Sequence, residues 1–287
     1  MNKLIGYGYP FDYRHSSCSN RTPKTFSWDV PKVNEPIDKL VLIDNAIMEY
    51  EKIPSDIPLL YGWVCESRSI VPELSNFIAV NHSKLKKRFK QIFVSDKQLI
   101  QFGYEYCPAG SNLPWIAESK YAIYPKTKLA SMVASAKTYT EGHRIRHAYA
   151  EKFKNHIDLF GGACGSPRLG NSSALISDFS KPWDSKPQGI VDYMFHIVVE
   201  NDFYDDYYTE KITDCFATGT IPVYAGSPSI GKHFNHDGII QLNQAFDIKS
   251  LTPELYYSKM DAIEDNFERV KNLVCADDRL YELIQRN

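Results

Sequence analysis

Within the twelve positions from Glu200 to Lys211 the chain sets out Glu200-Asn201, then Tyr207, then Thr209-Glu210-Lys211. A lysine ammonium placed where a helix begins joins unpaired backbone N–H groups and a positive dipole end, a combination that favours an anionic ligand. Asn201 can donate and accept hydrogen bonds, and Tyr207 offers a hydroxyl and a ring face. Asp202, Asp205 and Asp206 fall between them. Paired aspartates can bind a divalent cation, but carboxylates in so polar a loop most simply serve solvation, and no metal is expected here.

The elements that must position these groups lie on either side. Phe195, Ile197, Val198 and Val199 form a nearly continuous apolar run, as in a strand buried on both faces, and polar residues begin abruptly at Glu200. Thr209 is placed to cap a helix whose buried stripe is Ile212, Cys215 and Phe216, at i, i+3 and i+4. Gly219 ends that helix, and Ile221 to Tyr224 returns as a strand. In open α/β sheets ligands bind beyond the carboxyl ends of the strands, where Glu210 and Lys211 fall.

Upstream, apolar runs predict strands at Leu4-Ile5, Leu40 to Ile43, Leu59 to Val64, Ile92 to Val94 and Tyr104 to Cys107. A helix is expected over Asn76 to Lys90, with the solvated basic face Lys84, Lys86, Lys87, Arg88 and Lys90, and a short one near Leu99. Asp12 to Asn34 reads as irregular, and Pro108, Gly110, Pro114 and Pro125 read as a surface connection. A domain boundary near Pro125 divides the chain into 1–125 and 126–287, the first being a small α/β layer of four or five strands.

The second domain opens with a strand at Leu129 to Ala134, a helix at Thr140 to Lys154 and a strand at Ile157 to Phe160. The Gly161-Gly162 pair that follows suits either close approach to a ligand or a plain turn. Arg168 to Lys186 reads as a long loop. A short helix at Ser229 to Phe234, a strand at Ile239-Ile240, and helices at Pro253 to Val274 and Asp277 to Gln285 complete the chain.

Thirty-three basic residues against 35 acidic ones leave a formal net charge of -2, so neither a nucleic acid nor a polybasic membrane surface is expected as partner. Any anion must be met by local charge. The six cysteines, Cys18, Cys65, Cys107, Cys164, Cys215 and Cys275, are scattered without Cys-x-x-Cys or zinc-type His spacing, and are expected as thiols. The first ten residues lack an apolar stretch, and no run approaches membrane-spanning length. A soluble cytoplasmic protein is expected, peripheral to a membrane where its acceptor is carried on one.

The order Glu200-Asn201, Tyr207, Thr209-Glu210-Lys211, Ile221-Pro222-Val223-Tyr224 and Gly226-Ser227-Pro228-Ser229 resembles the donor-binding signature of the α1,3-fucosyltransferase family, glycosyltransferase family 10. The resemblance covers the second half of the chain well and the first half poorly. It implies a GT-B architecture, two Rossmann-like domains facing across a cleft, with 1–125 on the acceptor side and 126–287 binding the donor. It also implies an inverting glycosyltransferase moving fucose from GDP-fucose to a glycan hydroxyl, with no cofactor or divalent metal required.

Site roles follow from the same resemblance. Lys211 and an arginine grip the diphosphate; Arg146, with Val133-Ala134-Ser135 before it and Tyr149 after it, matches best, and Arg144 is the alternative. Glu210 accepts from ribose hydroxyls, and Asn201 and Tyr207 line the nucleotide pocket. The general base is a first-domain glutamate, Glu66 after the Leu59 to Val64 strand, with Glu73 in reserve. Two other readings stay open: a nucleotide-sugar-binding protein without catalysis, and a transferase using a different nucleotide sugar.

Overall fold

Aliphatic and aromatic runs that alternate with amphipathic stretches dictate parallel strands covered on both faces, and the computed structural model has this arrangement twice. It describes residues 2–8, 23–32, 35–167 and 186–287. The chain divides into two compact units, Met1–Asn112 with Val274–Asn287, and Leu113–Leu273.

In the first unit β1 (Asn2–Tyr7), β2 (Phe26–Asp29), β3 (Lys39–Ile43) and β4 (Leu59–Val64) precede helix α1 (Pro72–Arg88). Strand β5 (Gln91–Val94), the short helix α2 (Lys97–Ile100) and β6 (Glu105–Tyr106) follow. All six strands are parallel, in the order β2-β1-β3-β4-β5-β6. Alternation assigns the two faces. Leu42, Leu60, Val64 and Ile92 pack with Leu74, Ile78 and Leu85 of α1. Val41, Ile43, Tyr61, Trp63 and Phe93 pack with Leu280, Leu283 and Ile284 of the C-terminal helix (Ala276–Arg286).

In the second unit β7 (Lys128–Val133), α3 (Glu141–Phe153), β8 (Asp158–Phe160), β9 (Tyr193–Val199), α4 (Glu210–Ala217), β10 (Ile221–Ala225) and β11 (Ile240–Gln241) lead to α5 (Pro253–Tyr257) and α6 (Met260–Lys271). The five strands are parallel, in the order β11-β10-β9-β7-β8. Every residue of β9 is buried, as its unbroken apolar run requires. Chain order reverses between β7 and β9, so the carboxyl ends of these two strands flank a topological switch point.

The division differs from the expected one at 125/126 in two places. Leu113 and Ile116 are fully buried within the second unit, where the Asp214 carboxylate accepts the Trp115 and Ile116 N–H groups at 2.7 and 3.0 Å, so this stretch is no surface connection. The C-terminal helix, α7, belongs to the first unit and not to 126–287. Its first-turn acids explain why: Asp277 accepts from the Trp28 indole at 2.6 Å, and Asp278 accepts from the Lys24 and Thr25 N–H groups at 2.9 Å each. The first sheet also has six strands. Strand β2 lies in the stretch read as irregular, because its pattern of only four residues is too short to stand out.

Gly161 has φ +100°, and a Cβ there would lie 2.5 Å from the Ala134 carbonyl, so the glycine pair serves a tight backbone approach at a strand end. Cys65, Cys107, Cys164, Cys215 and Cys275 form no disulfide with one another; Cys18 and most of the loop before Lys186 lie outside the described residues. Among the described residues no helix is long and apolar enough to cross a membrane.

Candidate functional site

The switch point of the second sheet gathers five of the expected residues. Helix α3 begins at a capping box, in which Thr140 Oγ1 accepts the His143 N–H at 3.1 Å while the Thr140 N–H donates to His143 Nδ1 at 3.3 Å. This end of the helix runs hard against the end of β9. A Cβ on Gly142 would lie 2.1 Å from the Glu200 carbonyl oxygen and 2.7 Å from the Asn201 Cα. Only glycine permits this approach. We expect Gly142→Ala to cost about 1–3 kcal/mol, at the upper end because neither backbone can yield. Urea melts check this; an alanine variant as stable as the wild type contradicts it.

One turn further along α3, Arg144 is exposed and Arg146 is buried. Its Nε and Nη2 donate to the Val199 carbonyl at 3.2 and 2.6 Å, and Nη2 donates to Asn201 Oδ1 at 3.0 Å. Among the described residues these bonds use three of its five N–H groups and leave the two on Nη1. Burial works against the guanidinium charge, while Glu200, Glu210 and Tyr207 are near enough to support it.

Glu200, fully buried, ties the end of β9 to the start of α4. It accepts the Thr209 N–H at 3.0 Å and the Thr209 hydroxyl at 2.8 Å. The Lys211 ammonium donates to Thr209 Oγ1 at 2.9 Å and lies 3.4 Å from Glu200 Oε2 and 3.5 Å from Glu210 Oε1. Glu210 is buried too. Burial by itself would raise its pKa, but Lys211 and Lys186 outweigh that and hold the carboxyl below its ordinary range. Lys186 lies 3.5 Å from Glu210 and is ion-paired with Asp214. The cluster thus sets Arg146, Lys186 and Lys211 against Glu200, Glu210 and Asp214, three cations against three carboxylates.

Tyr207 is buried, its ring 4.9 Å from that of Tyr204. The loop that carries it is pinned by Asp206. The expectation of solvation fails at this residue: Asp206 has φ +63°, its N–H donates to Ser227 and Ser229 Oγ at 2.9 and 2.8 Å, and its carboxylate accepts from Ser229 at 2.7 Å. His233 Nε2 lies 3.0 Å from the same carboxylate. These bonds occupy Asp206, and among the described residues no group of three or more His, Cys, Asp or Glu side chains is arranged to hold a metal ion.

His143 reports the local field. Burial first, then Arg146, Lys137, Lys211 and His147, push its pKa down to about 4, so cationic side chains flank the start of α3. That setting suits an anion bound between two helix ends.

Glu66 belongs to the first unit, half-buried after β4. Its N–H and that of Cys65 donate to Asp44 Oδ1 at 3.3 and 2.8 Å. Asp44 is buried with φ +47°, and burial followed by the Glu66 charge raises its pKa to about 8. Glu73, the reserve candidate, is exposed in the first turn of α1. Sequence reasoning missed Lys186, Asp214 and Gly142. Lys186 closed a stretch with no periodicity, Asp214 stood inside an apolar helix pattern, and nothing local marks a glycine that touches a distant strand.

Two parallel α/β sheets, the second with paired helix ends and cations at its switch point, define the GT-B class of glycosyltransferase fold. Residues 123–269 match the C-terminal family model of glycosyltransferase family 10 (fucosyltransferase), and the chain belongs to this family. The α-(1,3)-fucosyltransferase FucT of Helicobacter pylori is 29% identical over 134 residues, which take in 47% of this chain and 24% of that protein, so the match spans about a quarter of its length. A crystal structure of an α1,3-fucosyltransferase aligns over 100% of this chain and 90% of its own, with a TM-score of 0.55 at 17% identity. Another, of α1,3-fucosyltransferase with GDP, aligns over 96% of this chain and 82% of its own, with a TM-score of 0.50 at 15% identity.

Proposed function

We propose that this chain is an inverting glycosyltransferase that moves fucose from GDP-fucose to a glycan hydroxyl. The observation that carries the reading is the convergence of Lys211, Glu210 and Arg146 on the carboxyl end of β9, where two helices begin or pass. The family description and the GDP held by a protein of similar fold support the donor.

The donor pyrophosphate lies at the N-terminus of α4, against the Lys211 ammonium and the Nη1 group of Arg146. Glu210 accepts the ribose hydroxyls, and Asn201 and Tyr207 line the nucleotide. Lys211 is already shared by Glu200 and Glu210. Its attraction for the ligand therefore grows most as the departing diphosphate gains charge, and interaction of that kind accelerates the reaction step instead of merely tightening binding. Glu66 takes the proton from the acceptor hydroxyl as it attacks the anomeric carbon, the sugar passes through an oxocarbenium-like state, and GDP leaves on the opposite face. One displacement inverts the anomeric centre. Lys211, Arg146 and the helix end supply the positive charge at the leaving group.

A thermal-shift panel of nucleotides tests the assignment. GDP at about 100 times its Kd adds about 2.7 kcal/mol to the folded state that binds it. GDP and GDP-fucose are expected to raise Tm, while UDP, CMP and dTDP sugars leave it near the unliganded value. A Tm raised by UDP sugars alone, or by none of these, removes the GDP-fucose assignment.

A further inference from the structure

Of the three cations in the cluster, Arg146, Lys211 and Lys186, the proposed chemistry gives Lys186 no task. It stands in a short turn before β9, its side chain 12% exposed, with its ammonium 4.7 Å above the Trp115 ring. It pairs with Asp214 on one side and lies 3.5 Å from Glu210 Oε1 on the other. Asp214 is itself immobile, because its Oδ1 accepts the Trp115 and Ile116 N–H groups and its side chain is fully buried. The ammonium is thus fixed by an anchored carboxylate and an aromatic face, and it presents the remaining side of its charge to Glu210. A lysine so deep in the fold is costly to keep charged, and replacing such an ion pair by apolar residues is often neutral or stabilising. Stability alone is a weak account of it.

We propose that Lys186 is a positioning residue of the donor site, holding the Glu210 carboxylate in place as the hydrogen-bond acceptor for the ribose hydroxyls of a guanine nucleotide. The inference rests on the nucleotide-sugar reading of this site. Glu210 has two cationic neighbours, Lys211 on its own helix and Lys186 from the turn before β9. With Lys186 taking a share of the Glu210 charge, Lys211 stays available to the pyrophosphate. Asp214 on the same helix, Glu200 on the far side of Lys211, and Arg146 from α3 complete the charged surroundings. Burial pushes the Glu210 pKa up, and Lys211 and Lys186 together pull it below the ordinary value. Without Lys186, Lys211 and the hydrogen bonds from the Thr209 hydroxyl and the Glu210 backbone N–H are left to oppose burial, and the Glu210 pKa rises. A protonated Glu210 is a poorer acceptor, so nucleotide affinity lost on acidification is lost at a higher pH once Lys186 is gone.

Isothermal titration of GDP and of 2′,3′-dideoxy-GDP between pH 5 and 8 reads both effects. The wild type is expected to prefer GDP by about tenfold or more, as hydrogen bonds to a charged group imply. The variants are Lys186→Gln, whose amide still donates to Asp214, and Lys186→Met combined with Asp214→Asn, which removes the ion pair but keeps an acceptor for the Trp115 and Ile116 N–H groups. Circular dichroism selects those that retain the fold. In either variant the preference for GDP over its dideoxy analogue is expected to collapse to about threefold or less, with the acid loss of GDP affinity displaced to higher pH. Lys186→Arg is expected to restore both. A folded variant that keeps the wild-type preference and pH profile overturns the positioning role and leaves the donor site standing. Failure of GDP to bind the wild type overturns the donor-site reading, and this inference with it.

Discussion

Lys211→Ala is expected to lower kcat/KM for transfer from GDP-fucose by about 10²–10³-fold, the range seen when one preorganised group at a developing charge is removed. The loss should fall mainly on kcat. The ammonium is shared by Glu200 at 3.4 Å and Glu210 at 3.5 Å, with Thr209 Oγ1 at 2.9 Å, so the protein's own groups already satisfy part of its charge. A ground-state pyrophosphate competes with these partners; the more highly charged leaving group does so better. The Kd for GDP should therefore change less than kcat. Alanine also leaves Glu200 buried with, among the described residues, only the Thr209 N–H and hydroxyl as donors, at a cost of about 1–3 kcal/mol in stability. Steady-state rates must be measured below the variant's own Tm for that reason. Wild-type kcat/KM in this variant would contradict the proposed mechanism outright.

Glu66→Gln should abolish transfer more completely than it disturbs anything else, lowering kcat by about 10²–10⁴-fold with the Kd for GDP essentially unchanged. The glutamine keeps the backbone N–H that donates to Asp44 Oδ1 at 3.3 Å, so the local fold should persist. Removing the Glu66 charge takes away the second cause of the raised Asp44 pKa, after burial, and Asp44 should then titrate lower than about 8. Two readouts thus separate a chemical role from a structural one: turnover, and the titration of a buried neighbour. Glu73→Gln, on an exposed helix turn, is expected to be silent in both. If Glu66→Gln transfers fucose at the wild-type rate, the base lies elsewhere. If the wild type binds GDP yet neither transfers nor hydrolyses GDP-fucose, the chain binds nucleotide sugars without catalysis.

The second unit was the more legible because its signals are local. An apolar run that stops at Glu200, a threonine cap at Thr209 and a glycine stop at Gly219 each act within one or two turns, and each recurs at its place in the structure. Period and capping need no knowledge of what lies across the fold. The first unit was less legible where elements are short, as with β2, or where a distant helix completes a core, as α7 does for the first sheet.

Residue types and their order were enough to assign Thr209, Glu210 and Lys211 to the opening turn of one helix, and to place that turn at a strand end. Tertiary packing decided that Arg146 is buried and Arg144 exposed, because a helix pressed against β9 through Gly142 delivers Arg146 to the Val199 carbonyl. Packing likewise converted Asp206 from a solvated loop carboxylate into the pin of the loop that carries Tyr207, and supplied Lys186 and Asp214 to the charge cluster. The physical reason is range. Backbone propensity and side-chain period act along a few residues, whereas the charge felt by a buried carboxylate is set by groups that folding brings beside it from far along the chain, in surroundings where water no longer screens them.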